Sequence, residues 1–351
     1  MFDLIQKLLT SRWVRGKKHR LSEVSGSVLR GRKRRWVIDV HQPLILISEV
    51  QRSGGTLLSQ LFDGHPECFS HPEEIYWGRP EKWNWPDIDI SRLSTREIFN
   101  TLHEPWIDAY GGAGFYRKKP GYTTEYPFVF DLTLQRSIFR DRCKKFGIRM
   151  QRDALNAYMT SFFNGWLDYQ NLYSPNKKYI TGFTPRVLVE SSAEQFFVDY
   201  PDGYIISLVR NPEDWYVSAR KHAYFSTWAD NVEALMARWA ESTVATIRAR
   251  KQYPGKVLAF QFESIITDTA EIMKQICDHV GISFSEQLLR PTFNGLDIRS
   301  NSSVKSVYGI DRSVMSRSFN ESATTDESTK AKIESITSTL WSDAQSIFGI
   351  E

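Results

Sequence analysis

Within six residues, Gln51-Arg52-Ser53-Gly54-Gly55-Thr56 joins a permanent positive charge, two hydroxyls and two adjacent glycines. That set suits a phosphate-like anion: glycines let backbone N–H groups approach it, hydroxyls donate to it, and a guanidinium offers a planar charged fork. The Gly-x-x-x-x-Gly-Lys-[Ser/Thr] loop of kinases and GTPases is absent. A second set, Arg210-Asn211-Pro212-Glu213-Asp214 followed by Ser218, lies much further along the chain. Arg210 and Ser218 differ by 218 − 210 = 8 positions, so a serine about two helical turns past the arginine can share its anion. Taken singly, each set also fits a plain glycine turn or a surface Arg beside an exposed Ser.

The surrounding pattern says what holds these residues. Leu44–Ile47 is a short, wholly apolar run, as expected of a strand buried on both faces. It leads into the glycine turn, after which Leu57, Leu58, Leu61 and Phe62 recur at helical spacing. Tyr204–Val209 reads as a second buried strand, and Asn211 with Pro212 starts the next helix. Val257–Phe260 reads as a third strand and Lys178–Phe183 as a fourth. Asp268 and Glu271 form a capping-box-like pair before a helix that Gly281 should stop, and Ile333 to Ile347 fits a C-terminal helix. Alternating strands and helices predict an α/β fold with a central, mainly parallel sheet flanked by helices. An arginine at a strand's carboxyl end then lies where such sheets bind ligands. The Trp-, Tyr-, Pro- and Gly-rich stretch around 77–176 is expected to be a helical and loop insertion over the ligand-binding edge.

Composition bounds the class. The chain has 351 residues, 41% hydrophobic and 25% charged, the range of a globular protein with a full core. We expect a basic arm, 1–40, ahead of a single α/β domain, 41–351. Residues 1–36 carry eleven Lys/Arg against Asp3 and Glu23, a balance of +9, which leaves 4 − 9 = −5 for the rest. Such an arm suits peripheral contact with a membrane or another polyanion, or is a solvated leader. No recognition motif points to nucleic acid. No apolar run approaches the roughly 20 residues that span a bilayer, and the N-terminus is too short and charged for a secretory signal. Three cysteines without metal-ligand spacing imply a reducing, cytoplasmic setting, with no zinc and no disulfide framework.

Together the two anion sets resemble the superfamily of sulfotransferases that use 3′-phosphoadenosine-5′-phosphosulfate. In that family a Pro-Arg-Ser-Gly-Thr-Thr-Leu-Leu type of loop holds the 5′-phosphosulfate, and an Arg…Ser pair eight apart holds the 3′-phosphate. His65-Pro66 is similar to the His-Pro of the branch with an Arg-containing loop, which includes tyrosylprotein and bacterial carbohydrate sulfotransferases. Phe262-Glu263-Ser264-Ile265 and Ser300-Asn301-Ser302-Ser303 resemble two later family segments. The likeness covers about 44–75 and 178–310.

It implies a P-loop-type three-layer fold and sulfuryl transfer to an acceptor hydroxyl without a metal. The Trp- and Tyr-rich middle, which could stack sugar rings, together with the basic arm, points to a carbohydrate or glycolipid acceptor. Arg52, Ser53, Gly54, Gly55, Thr56 and Leu57 would hold the 5′-phosphosulfate, and Arg210 and Ser218 the 3′-phosphate. Ser302, Ser303 or Lys305 would complete the nucleotide pocket, and Glu73 would be the base that takes the acceptor proton, with Glu74 beside it and His71 and His65 in reserve. Adenosine 3′,5′-bisphosphate would be the product. Three departures stand out: Gly55 replaces a Thr, Phe262 replaces a Tyr, and no Lys precedes Pro185, where Arg186 is the nearest substitute. They motivate the alternative of a non-catalytic nucleotide-binding protein on the same fold.

Overall fold

The computed structural model describes residues 36–77, 84–110, 126–189, 192–299, 307–323 and 325–349. Most of the basic arm, and Ser302, Ser303 and Lys305, lie outside them. The chain opens with β1 (Leu44–Ile47), α1 (Gly55–Phe62) and β2 (Cys68–Glu74). Four helices follow: α2 (Thr95–Leu102), α3 (Pro105–Tyr110), α4 (Leu132–Phe146) and α5 (Gln151–Gly165). Next come β3 (Tyr179–Phe183), α6 (Ser192–Asp199), β4 (Tyr204–Val209), α7 (Pro212–Ala219) and α8 (Val232–Gln252). Then β5 (Val257–Gln261) runs directly into α9 (Phe262–Thr267) and α10 (Thr269–Val280). A small hairpin, β6 (Thr292–Phe293) with β7 (Leu296–Asp297), precedes α11 (Ser313–Ala323) and α12 (Glu327–Gln345).

Five strands form one sheet in the order β2-β3-β1-β4-β5, and each neighbouring pair is parallel. All five carboxyl ends therefore lie on one edge. β1 is central, and the chain crosses over it between β3 and β4, so a crevice opens at its carboxyl end.

The predicted apolar runs are strands because both faces are covered. On one face Leu44, Leu46, Ile180 and Ile205 pack with Tyr158 and Phe162 of α5 and Phe196 of α6. On the other, Ile45, Ile47, Ile206 and Leu258 pack with Leu58 and Leu61 of α1 and Met273 and Ile276 of α10. Each fully buried Leu or Ile side chain is worth about 2 kcal/mol of burial. Strand β2 went unread as a strand. It is the polar run Cys68-Phe69-Ser70-His71-Pro72-Glu73-Glu74, tolerated because it lies at the sheet's edge, where a proline's missing N–H costs least.

Within the aromatic-rich insertion, α5 packs on one face of the sheet with α4 against it, and residues 78–83 and 111–125 lie outside the described ones. Trp77, Trp85 and Trp166 are core residues, each at most 3% exposed. Asn164 and Thr160 on α5 also hold residues 38–40 by pairing with both the N–H and the carbonyl of Ile38 and Val40.

Helix ends follow the local chemistry. Asn211 accepts from the N–H groups of Glu213 and Asp214 with Pro212 in the first turn, and Gly281 closes α10 in the left-handed region. Asp268 differs from the reading, since its carboxylate takes the Thr267 hydroxyl (2.6 Å) and makes no cap bond to α10. All three cysteines are free and buried. Among the described residues no helix is long and apolar enough to cross a membrane, and no three His, Cys, Asp or Glu gather as a metal site.

Candidate functional site

Beyond β1 the chain enters the loop Ser48–Gly54, which the ends of β3 and β4 fasten. The Ser48 N–H extends the ladder to the Ile206 carbonyl (3.0 Å), and the Ser48 hydroxyl accepts from the Val187 N–H (2.9 Å). The Arg186 N–H reaches the Glu49 carbonyl (2.9 Å). Arg52 then takes φ 79°, a left-handed conformation that costs a residue other than glycine on the order of 1 kcal/mol. Three side chains from across the crevice hold it there. Arg210 Nη1 donates to the Arg52 carbonyl (3.1 Å), Trp215 Nε1 donates to the Gln51 carbonyl (2.9 Å), and Arg52 Nε donates to Ser218 Oγ (3.1 Å). The two anion sets of the sequence thus meet, with Arg52 reaching across from one to the other.

The paired glycines are required by what surrounds them. Gly54 has φ 100°, and a Cβ there would overlap the Phe262 ring. A Cβ on Gly55 would overlap the Phe183 ring and come 2.9 Å from Glu49 Oε1. Gly55 in place of Thr is therefore matched to a phenylalanine on β3 and a carboxyl beneath the loop. Phe262 likewise has work to do: its ring packs on the loop and lies 4.9 Å under the Arg210 guanidinium carbon. Helix α1 begins at Gly55 with no side-chain cap from Gly54. Thr56 and Leu57 stand half-buried in its first turn, where unpaired N–H groups and the helix dipole favour an anion.

Charge in the crevice is concentrated and poorly solvated. Burial draws the Arg52 guanidinium below its ordinary value, against the opposing pull of Glu49. Burial does the same to Arg210, countered by Glu263 and Asp214. Burial pushes Glu49 up to about 8, against the Gly55 N–H, the Ser53 hydroxyl and Arg52, which favour its charged form; Glu74 adds to the rise. Near pH 7 the crevice therefore holds two guanidinium groups beside a mostly neutral Glu49. Burial also raises Glu263, whose Oε1 accepts the Asn211 N–H (3.2 Å).

The candidate bases sit at the carboxyl end of β2, where the register with β3 shifts between Ser70 and Glu74. Glu74 pairs with Phe183, and Glu73 Oε1 accepts the Glu74 N–H (3.3 Å). The two histidines are committed elsewhere. His65 Nε2 faces the Ser283 carbonyl (2.8 Å), and its Nδ1 accepts the Glu67 N–H (3.3 Å). His71 is buried between the Glu73 carbonyl (2.7 Å) and Glu104 (3.0 Å). Both ring nitrogens of each histidine thus already face a partner within the fold. Arg186 is buried with Nη2 on Glu241 of α8 (2.7 Å), so it does not replace the missing lysine.

Sequence reasoning passed over Glu49, Glu104 and Trp215. An acid two residues past a buried apolar strand was a signal for Glu49; nothing local marks Glu104.

A profile described as the sulfotransferase family matches residues 135–286. That stretch contains Arg210 and Ser218 and excludes Gln51–Thr56 and Glu73. No curated protein matches the sequence. Among solved structures, the chain is similar to the sulfotransferase domain of the Synechococcus PCC 7002 olefin synthase, at 16% identity and TM-score 0.49, over 89% of this chain and 97% of that one. It is also similar to the sulfotransferase domain from the curacin biosynthetic pathway, at 16% identity and TM-score 0.46, over 90% and 100%. A sulfotransferase from Alicyclobacillus acidocaldarius aligns at 13% identity and TM-score 0.46, over 89% and 98%.

Proposed function

We propose that this protein transfers a sulfuryl group from 3′-phosphoadenosine-5′-phosphosulfate to an acceptor hydroxyl. The observation that carries this reading is the meeting of Arg52, Arg210 and Ser218 at the open end of a parallel sheet, with Arg52 Nε 3.1 Å from Ser218 Oγ. A single glycine turn would explain an anion; two arginines and a serine from separate elements suit a ligand with two anionic groups. The residues fit such a group: Arg52, Arg210 and Ser218 bring donors together from three elements, and α1 starts without a side-chain cap.

Bound there, the donor supplies an activated sulfuryl group on its 5′-phosphate. Arg52 and the N–H groups of Ser53–Leu57 hold that end, and Arg210 with Ser218 holds the 3′-phosphate. Ser302 and Ser303 remain candidates for the rest of the nucleotide. Glu73 takes the acceptor proton as the new O–S bond forms and the S–O bond to phosphate breaks, the electron pair leaving with the bisphosphate. Arg52 and the loop N–H groups offset the negative charge that develops, already oriented before reaction. The Arg-containing-loop branch, and a carbohydrate or glycolipid acceptor, are the finer readings we carry forward. Burial of Trp77, Trp85 and Trp166 removes those three as sugar-stacking surfaces. We further propose that the basic arm brings the protein to an anionic surface.

Glu73→Ala tests catalysis against simple binding. A catalyst loses transfer by roughly 10²-fold or more and keeps its bisphosphate affinity. An unchanged turnover would remove Glu73 from the role of base.

A further inference from the structure

We propose that the buried His71–Glu104 pair positions the segment carrying Glu73, holding it in the conformation from which it serves as base. The proposal rests on the reading of Glu73 given above. Both side chains have 0% exposure. Glu104 comes from the turn between α2 and α3, and Tyr158, which donates to it, from α5, so two elements converge on one short piece of β2.

The contacts define protonation. The Glu73 carbonyl can only accept, so His71 Nδ1 must carry a hydrogen toward it (2.7 Å). Glu104 Oε1 accepts the Tyr76 N–H (3.2 Å), and Oε2 accepts the Tyr158 hydroxyl (3.3 Å). A carboxyl already facing two donors is best satisfied as a carboxylate, with His71 Nε2–H as its third donor at 3.0 Å. His71 is then an imidazolium. Burial alone would lower its pKa, but the charge and hydrogen bond of Glu104 outweigh this and raise it, and Glu73 adds to the rise. The Phe162 ring (4.8 Å) and the edge of Trp106 (5.8 Å) close the remaining sides.

What the pair holds is a gap in the sheet. β2 pairs with β3 at Cys68–Ser70 and again at Glu74, with a register shift between. Pro72 has no N–H to donate to a ladder. Across that gap the pair fixes the His71 ring, the Glu73 carbonyl and the Tyr76 N–H within six residues. A buried ion pair is an expensive way to gain stability and is better suited to specifying one geometry.

The test uses the full chain, with release of adenosine 3′,5′-bisphosphate from the phosphosulfate donor in the presence of methyl glycosides and p-nitrophenol. Calorimetric binding of the bisphosphate is the check on integrity. For Glu104→Gln we expect kcat to fall by about 10²-fold, as for a misplaced catalytic group, with KM for the donor and bisphosphate affinity within about twofold. The double variant E104Q/E73A should be no slower than E73A. Tyr158→Phe, which keeps every charge, should give a smaller fall that also vanishes in the E73A background. Nitrogen-15 NMR of the histidines should report both His71 nitrogens protonated at pH 7 in the wild type. Full activity in E104Q, multiplicative effects of E104Q and E73A, parallel loss of bisphosphate binding, or a neutral His71 would each overturn the proposal. Full turnover in E73A would instead remove the reading of Glu73, and the proposal with it. A wild type that binds the bisphosphate but turns over neither acceptor would do the same.

Discussion

Glu49 places an acid beneath the loop Ser48–Gly54, against Gly55, and burial makes it titrate far from its ordinary range. Its pKa is 4.5 when solvated and about 8 in the folded chain. Between those values the folded state keeps a proton that the unfolded state has released, so stability falls as pH rises through this window. The slope approaches 1.4 kcal/mol per pH unit. Glu49→Gln removes that term. Denaturation midpoints measured from pH 5 to 9 should show the variant gaining on the wild type up to about pH 8 and holding level beyond. Parallel curves would mean that Glu49 is ionised in the fold. Nothing local in the sequence predicts this behaviour. The Arg186 N–H that holds the Glu49 carbonyl and the Phe183 ring that closes on Gly55 come from the far end of β3.

At the level of elements, the legible parts were those whose burial is written in a local pattern. Leu44–Ile47 and Tyr204–Val209 are apolar runs because helices cover both faces, and both are strands at the predicted residues. Arg210 and Ser218 were legible as a pair because Asn211 and Pro212 start a helix between them. β2 was illegible because an edge strand interrupted by a proline carries neither alternation nor an apolar run. α5 lacked an amphipathic stripe because it is buried nearly all round. The loop between β1 and α1 shows how elements constrain residues. Gly55→Ala should cost about 1–3 kcal/mol through overpacking against Phe183, and Phe183→Leu should restore part of it. Urea denaturation of the two single variants and the double variant measures this. A neutral Gly55→Ala would mean that the ring moves aside freely.

For the whole molecule, topology decides where chemistry can occur. Five parallel strands put the loop Ser48–Gly54, Glu73 and Glu74, Arg186, Arg210 and Glu263 at the carboxyl edge of one sheet. The aromatic-rich helices α4 and α5 belong to the core on one face of that sheet. The central claim is that two anionic groups of one nucleotide are gripped there, the second of them by Arg210. Calorimetric titration with adenosine 3′,5′-bisphosphate and with ATP, on the wild type and on Arg210→Ala, tests it most directly. The account predicts at least about tenfold preference for the bisphosphate, and loss of about 2 kcal/mol of its binding in the variant, the scale of a charged hydrogen bond. Equal affinity for the two nucleotides, or an Arg210→Ala variant that binds the bisphosphate as the wild type does, would contradict it.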